Sequence, residues 1–198
     1  MYTLQNQKEN KLVIEKSKFI SYIFSCSSQE EQTSLLKQLK REHLSATHIC
    51  YASSFFSNNQ ILNYSSDDRE PSGTAGLQIL QALKENNMVN VLCVVVRYFG
   101  GIKLGVAGLG RAYKDSALQV IIDNKKEVCL RNKCNIICDY NQYSFIKSYM
   151  DKNFLKQEDL KFDNDISFFA YLNEDELKSV QNWAQKVDID DFDQKYCW

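Results

Sequence analysis

Apolar and polar residues alternate along two early stretches of the chain, which predicts a pair of β-strands. These stretches are KLVIE (11–15) and KFISYIFSC (18–26). Apolar residues then recur at helical spacing after Ser27 and Ser28, either of which can cap a helix that runs to about His43. The chain therefore opens with two strands and one amphipathic helix.

A hairpin and a buried strand are predicted next. ATHICYASSFFS (46–57) and QILNYSS (60–66) are rich in β-branched and aromatic residues, and they flank Asn58-Asn59, where we expect the turn of a hairpin. NVLCVVVRY (90–98) is apolar at nearly every position, as a strand covered on both faces should be. We expect it at the centre of a sheet.

Two further stretches have apolar residues at helical spacing, one before the buried strand and one after it. They cover about 75–86 and about 107–124. The inward positions expected in the first helix are Leu77, Leu80 and Leu83. Those expected in the second are Leu109, Ala112, Tyr113, Ala117, Val120 and Ile121.

The pattern restarts in the last third of the chain and predicts a second domain. Its elements are a strand over 134–140, a helix over 142–151, strands over 155–162 and 166–172, a helix over 173–186 and a strand over 188–197. This βαββα(β) order is typical of a ferredoxin-like domain. We place the boundary near 128–133, which gives domains at 1–130 and 131–198.

Composition and charge refine this picture. The 198 residues are 44% hydrophobic and 25% charged, and the seven cysteines are an odd number with no apolar leader before them, which indicates a reduced, cytoplasmic protein. Residues 1–132 carry 16 Lys and Arg against 12 Asp and Glu, whereas residues 133–198 carry 8 against 13. We therefore expect a polyanionic partner on the first half and a protein partner on the acidic second half.

All seven glycines lie between Gly73 and Gly110. Two of them, with the only proline, lie in DDREPSGTAG (67–76), which we call the first glycine segment. The other five lie in RYFGGIKLGVAGLGRAY (97–113), the second glycine segment. Glycine is needed where φ is positive or where the backbone closely approaches another group, so both segments require special geometry.

The second glycine segment lies where a strand ends and a helix begins, a place where backbone N–H groups can receive an anion. Its order of glycines matches neither the dinucleotide fingerprint nor the P-loop. The residues predicted to bind a phosphate-bearing ligand are Arg97, Gly100, Gly101, Lys103, Gly105, Gly108 and Arg111. A structural interpretation, in which the glycines only shape a sharp turn, stays open.

The first glycine segment offers similar donors and a group of acids. The predicted anion contacts there are Ser72, Gly73, Thr74 and Gly76, at the start of a helix. The acids are Asp67, Asp68 and Glu70, which can hold Mg²⁺ through oxygen ligands or act as a base. Acidic residues also commonly precede a helix simply because the positive end of the helix dipole favours them, without any ligand. The cofactors to consider are therefore phosphate and Mg²⁺.

His48 and Cys50 lie two residues apart and share one face of their strand. A nucleophilic pair needs mutual hydrogen-bond reach, which strand neighbours seldom have, so we expect His48 to be a packed strand residue. The remaining cysteines lack paired C-x-x-C spacing, and only two histidines exist, which argues against zinc.

Three blocks of the chain resemble the signature sequences of the IMPACT/YigZ family. They are ATHICYA (46–52) and the two glycine segments, and KSKFI (16–20) matches the family's start. The tail resembles the family's bacterial C-terminal domain. The resemblance implies an α+β fold with two domains. The first is a β-sheet with helices on one face, like the second domain of a small-subunit ribosomal protein. The second is ferredoxin-like, as in the last domain of elongation factor G.

Two positions depart from the family pattern, since Arg69 and Ala107 stand where glycine is usual. Ala107 puts a positive φ at the helix start in doubt. Small-molecule kinases of this fold cradle ATP phosphates on a G-L-G stretch, which AGLGRA (107–112) resembles. Here Arg111 and Ala112 replace the kinase serines, and this favours plain anion binding over Mg-ATP chemistry.

The resemblance implies, for eukaryotic members, translational control through contacts with a kinase-activating protein. We therefore predict a translation-linked regulatory binding protein that meets RNA or a translation-machinery protein through its first domain. Two alternatives stay open: an enzyme acting on a phosphorylated small molecule between the glycine segments, and a ligand-free scaffold. The sequence shows no complete set of nucleophile, base and orienting group, which disfavours the enzyme.

Overall fold

The computed structural model describes residues 1–57 and 60–197, so the turn predicted at Asn58-Asn59 lies outside the described residues. The chain divides into Met1–Glu127, here called unit 1, and Val128–Trp198, called unit 2. The elements of unit 1 are β1 Tyr2–Leu4, β2 Lys8–Ile14, β3 Ser17–Ser25, α1 Gln29–Glu42, β4 His48–Ser57, β5 Gln60–Ser66, α2 Gly76–Glu85, β6 Val91–Tyr98, α3 Gly105–Ile121 and β7 Lys125–Glu127.

A five-stranded antiparallel sheet in the order β2-β3-β6-β4-β5 forms the centre of unit 1. Every residue of β6 from Val91 to Arg97 is buried, which confirms the predicted central strand. The predicted hairpin is confirmed as well, because β4 pairs with β5. A separate pair joins β1 to β7, with Tyr2 opposite Glu127.

Helices cover both faces of this sheet. On one face, α2 and α3 share a core with Cys93 and Val95 of β6. On the opposite face, Leu39 of α1 packs with Val94 and Val96. The expectation of helices on one face therefore holds for α2 and α3 and is wrong for α1, because both faces of the sheet carry apolar side chains that need cover.

The inward stripe predicted for α3 is confirmed, since all six of its residues are buried. In α2 the prediction is wrong at Leu77, which is 54% exposed, whereas Ile79 and Leu83 are fully buried. A Cβ on Gly76 would lie 2.7 Å from the backbone of Ser66, so Gly76 is fixed as an inward position. Leu77 is one residue and about 100° further round the helix, and it therefore faces outward.

Unit 2 has the βαββαβ order predicted for a ferredoxin-like domain. Its elements are β8 Cys129–Cys138, α4 Tyr140–Lys152, β9 Glu158–Phe162, β10 Ile166–Leu172, α5 Glu174–Gln181 and β11 Lys186–Cys197. The strands form an antiparallel sheet in the order β11-β8-β10-β9. Asp139 and Asn173 begin α4 and α5 with capping boxes. The chain thus has the two-domain α+β fold that was expected.

No membrane-spanning helix occurs in the part of the chain that the structure describes. No helix there combines the length and the apolarity that a bilayer crossing requires. The thiols of Cys26, Cys50, Cys93 and Cys138 are free and buried.

Candidate functional site

The carboxylate of Asp67 caps the N-terminus of α2 from inside the first glycine segment. Its Oδ2 accepts a hydrogen bond from the Gly73 N–H at 2.9 Å. Its Oδ1 accepts from the N–H groups of Ala75 at 3.0 Å and Gly76 at 2.8 Å. The backbone donors predicted for an external anion are therefore already bonded to an internal one.

The remaining predicted contacts in this segment have internal partners or lie at the surface. Thr74 is buried, and its hydroxyl donates to the carbonyl of Pro71 at 2.7 Å. The carbonyl of Gly73 accepts from the side-chain amide of Gln78 at 3.2 Å. Ser72 is exposed. Of the predicted anion contacts of this segment, only Ser72 thus has an exposed side chain.

Asp68 and Arg69 both adopt left-handed backbone conformations, with φ of +40° and +71°. Such angles are uncommon for residues with a Cβ, which explains why glycine is usual at the position of Arg69 in the family that the chain resembles. The segment is held by Asp68, whose Oδ2 accepts from the N–H of Ile49 in β4 at 2.7 Å. Arg69 thus keeps the glycine-like backbone.

Glu70 and Arg97 form a buried ion pair at the end of the central sheet. The Arg97 Nη1 donates to the Glu70 Oε1 at 2.7 Å, and the two side chains are 7% and 4% exposed. The Tyr113 hydroxyl donates to the same oxygen at 2.8 Å, and the Arg97 Nη2 lies 3.4 Å from the hydroxyl oxygen of Ser17. Arg97, which was predicted to contact an external anion, therefore has its charge compensated by Glu70 inside the unit.

His48 lies beside this buried ion pair, and its side chain is 17% exposed. Its Nδ1 lies 2.8 Å from the carbonyl oxygen of Asp68, and because a carbonyl only accepts, Nδ1 carries the hydrogen. Its Nε2 lies 3.6 Å from the Glu70 Oε1. The sequence pattern predicts a packed strand residue at His48 and does not indicate its place beside the ion pair. The one available signal is a histidine at the start of a strand whose other residues carry no charge.

The thiol of Cys50 contacts Asp67 and Tyr113 rather than His48. Its thiol donates to the carbonyl of Asp67 at 3.0 Å and lies 3.4 Å from the Tyr113 hydroxyl oxygen. Burial raises the pKa of the Cys50 thiol to about 12. Burial also raises the pKa of the Tyr113 hydroxyl far above its usual range. Both groups therefore stay protonated at neutral pH, and neither is an activated nucleophile.

The start of the second glycine segment is fastened to the sheet. The Phe99 N–H donates to the Thr47 hydroxyl oxygen at 3.0 Å, and the Gly100 N–H donates to that of Ser17 at 3.2 Å. A Cβ on Gly100 would lie 2.0 Å from the carbonyl carbon of Lys16, so this close approach requires glycine.

The rest of the second segment turns into α3 through two left-handed glycines. Gly101 has φ of +89° and Gly105 has φ of +68°, and no atom lies within 4 Å of a Cβ built on either. Gly108 lies inside α3. Ala107 lies there too and is not among the residues with positive φ, so its methyl group causes no strain.

Lys103 and Arg111 are the predicted cations that remain at the surface. Both are exposed, and neither has a hydrogen bond or ion pair among the described residues. Lys103 lies two residues before α3, whose first turn has no acidic residue and no side-chain cap. Arg111 follows Ala107 by one helical turn, and long helical side chains lean toward the N-terminus. Both cations therefore lie near the start of α3.

The acids of the first segment do not fit a magnesium site. Asp67 bonds to backbone N–H groups, Asp68 to that of Ile49, and Glu70 to Arg97. Across residues 1–57 and 60–197, no three His, Cys, Asp or Glu side chains converge as metal ligands would. The same engagements leave these carboxylates badly placed to serve as a catalytic base.

Comparison with known proteins supports the family resemblance of the two glycine segments. The Impact N-terminal domain family matches residues 15–121. IMPACT family member YvyE of Bacillus subtilis is 33% identical over 189 residues, which cover 94% of this chain and 86% of the relative. IMPACT family member YigZ of Escherichia coli is 32% identical over 141 residues, covering 69% of this chain and 68% of the relative.

A solved crystal structure of a hypothetical protein shares the fold, with a TM-score of 0.65 and 23% identity over 91% of this chain and 89% of that one. The family match spans more than half of the chain, and the Bacillus relative is covered over most of its length. The chain, with its two glycine segments and its Asp67-capped helix, therefore belongs to the IMPACT family.

Proposed function

We propose that this IMPACT-family chain is a translation-linked regulatory binding protein. In this proposal, unit 1 binds nucleic acid or another phosphate-bearing ligand beside its second glycine segment. Family membership supports the regulatory part, since the resemblance implies translational control for eukaryotic members. The balance of charges around the start of α3 supports the binding part.

That balance is the observation that carries the proposal. Residues 97–114 contain four cations and no acid. Arg97 is neutralised by Glu70, and Lys114 pairs with Glu85 at 2.8 Å. Lys103 and Arg111 are left as exposed charges without an ion-pair partner among the described residues. Their positive field favours a negatively charged ligand.

Unit 2 has a different role in this proposal. Its stretch 133–198 carries 8 Lys against 13 Asp and Glu, so it would repel a polyanion. We assign it to contacts with protein, and we place the whole chain in the cytoplasm, where the translation machinery is.

The test is a titration of the purified full chain with a fluorescent RNA oligonucleotide, followed by anisotropy. The variant Lys103→Gln/Arg111→Gln removes the two exposed cations. Its matched control, Lys37→Gln/Arg41→Gln, removes the same types of charge from α1 on the opposite face of the sheet. Thermal unfolding checks that all three proteins are folded.

The parent protein should bind, and its affinity should fall about sevenfold between about 50 and about 200 mM salt if two phosphates are contacted. The Lys103/Arg111 variant should lose most of this binding, and the control should keep it. Equal loss in both variants would mean that net charge alone attracts RNA. Absence of binding by the folded parent would discard nucleic acid and favour a scaffold.

A further inference from the structure

The Phe99 side chain is an exposed aromatic ring on a fixed support. Phe99 is 46% exposed, although β6 just before it is buried from Val91 to Arg97. On its inner side, the Arg97 Cζ lies 5.3 Å from the ring centroid and 5.5 Å from that of Phe19. The Phe99 N–H is bonded to Thr47. The ring is thus held in place by an internal cation and by its own backbone.

Apolar side chains near Phe99 are exposed as well. Ile102 is 38% exposed, and Val106 in the first turn of α3 is 69% exposed. We call Phe99, Ile102 and Val106 the stacking surface. All three lie within eight consecutive residues between the end of β6 and the first turn of α3, where their exposed apolar groups are available for contact with another molecule.

Charge identifies the kind of molecule that fits this surface. Lys103 lies within the same eight residues, Arg111 lies five residues beyond them in α3, and residues 97–114 contain no acid. The occupant should therefore combine flat or apolar groups with regularly spaced negative charges. Single-stranded RNA has both, whereas an RNA duplex hides its base faces within its own stack.

We propose that Phe99 is a base-stacking platform for single-stranded RNA. A base lies on the outer face of the ring, and the adjoining phosphates pair with Lys103 and Arg111. The inference rests on the function proposed above and adds the class of nucleic acid and the residue that selects it. The Arg97 guanidinium behind the ring withdraws electron density, which favours stacking of an electron-rich base on the free face.

The test compares a single-stranded RNA with a duplex of the same length, using the full chain. Phe99→Leu keeps an apolar side chain but removes the π-face, and Phe99→Trp keeps a π-face. Phe154→Leu is the matched control, because Phe154 in unit 2 is 94% exposed. We expect Phe99→Leu to weaken single-strand binding about tenfold and Phe99→Trp to retain it. Phe99→Leu should bind the duplex as tightly as the parent does. Phe154→Leu should bind the single strand as tightly as the parent does.

A second measurement needs no variant. Ultraviolet cross-linking of the parent to RNA, followed by mass spectrometry, should place a cross-link on Phe99. A cross-link confined to other residues would overturn the inference, as would equal single-strand binding by parent and Phe99→Leu. If Lys103→Gln/Arg111→Gln still weakened the binding of both RNAs, the proposed function would survive the failure of the stacking inference.

Two further outcomes separate the other possibilities. If the folded parent binds neither RNA, both the inference and the nucleic-acid part of the proposed function fall. A polyglutamate peptide of matched charge serves as the protein-like probe. If it binds as tightly as the single strand and is unaffected by Phe99→Leu, the surface recognises acidic protein and the inference is overturned.

Discussion

The Glu70 carboxylate and the Arg97 guanidinium lie 27 residues apart in the sequence and 2.7 Å apart in the fold. This pair joins the first glycine segment to the end of β6, where the second glycine segment begins. The Tyr113 hydroxyl adds α3 to the same carboxylate oxygen. One acidic side chain therefore connects the segment that caps α2, the central strand and α3.

Removing the negative charge of this pair should strongly destabilise unit 1. Glu70→Gln leaves the Arg97 charge buried without an anionic partner, and we expect a loss of about 3 kcal/mol in the free energy of unfolding. Urea denaturation followed by circular dichroism measures this value. Glu85→Gln, which removes an acid from a surface pair with Lys114, should leave the unfolding midpoint close to that of the parent.

A double variant distinguishes charge compensation from simple loss of packing. Glu70→Gln/Arg97→Met removes both charges, so it should be more stable than Glu70→Gln alone. If the loss of stability in the double variant equals the sum of the losses in Glu70→Gln and Arg97→Met, the pair does not act by compensating charge.

The Asp67 cap gives a second prediction. Asp67→Ala leaves three backbone N–H groups at the start of α2 without their acceptor, and we expect a loss of about 1–2 kcal/mol. Asp67→Asn should fall between alanine and the parent, because its single amide oxygen replaces only part of the carboxylate. Thermal and urea unfolding measure both variants.

Inorganic phosphate should partly restore Asp67→Ala. With the carboxylate gone, an anion can occupy the freed helix N-terminus, so phosphate should raise the melting temperature of Asp67→Ala more than that of the parent. Equal shifts in the two proteins would show that Asp67 does not fill an anion position.

Two glycines of the second segment should respond in opposite directions to alanine. Gly100→Ala places a methyl group 2.0 Å from the Lys16 carbonyl carbon, so the backbones must separate, and we expect a loss of about 3 kcal/mol. Gly108 lies inside α3, and a Cβ there would be 3.4 Å from the Leu104 Cβ, which is ordinary contact. Gly108→Ala should therefore raise the free energy of unfolding by up to about 1 kcal/mol. Equal losses in urea denaturation would contradict the close approach at Gly100.

The buried thiols predict a loss of stability in alkali. Burial raises the pKa of Cys93 from 9.0 to about 12, and that of Cys50 likewise to about 12. Above pH 9.0 the unfolded chain releases these protons while the folded chain keeps them, so the free energy of unfolding falls as pH rises. Each thiol contributes a slope of about 1.4 kcal/mol per pH unit until the pH approaches the folded-state pKa.

Cys93→Ala isolates this effect from other groups that titrate in alkali. Urea denaturation between about pH 8 and about pH 10 should give a shallower slope for the variant than for the parent, by the contribution of one thiol. Parallel slopes would show that Cys93 ionises as readily in the folded protein as in the unfolded chain.

Periodicity predicted the elements well where apolar residues mark the buried positions. The α3 stripe from Leu109 to Ile121 and the buried strand β6 are both confirmed. The inward face of α2 was misjudged, because it is set by Gly76 against Ser66, and glycine gives no hydrophobic signal. Leu77 was therefore assigned to the core although it faces outward.

The candidate site was harder to predict because its partners are distant in sequence. Nothing near Arg97 indicates that Glu70 neutralises it. Acids before a helix were expected to favour its dipole, but the sequence does not indicate which of the three acids caps α2. The sequence marks the two glycine segments as special but does not indicate which of their residues bond to one another. Lys103 and Arg111 stay as predicted ligand contacts, because the fold leaves their charges exposed.

The pairing of β1 with β7 has a consequence for how unit 1 can be handled as a module. Tyr2 lies opposite Glu127, so the chain enters and leaves this unit at adjacent points. A folding unit whose entry and exit are neighbours can be grafted into a surface loop of another protein, or circularly permuted, without stretching its sheet. Unit 1 thus has the geometry that domain insertion and circular permutation require.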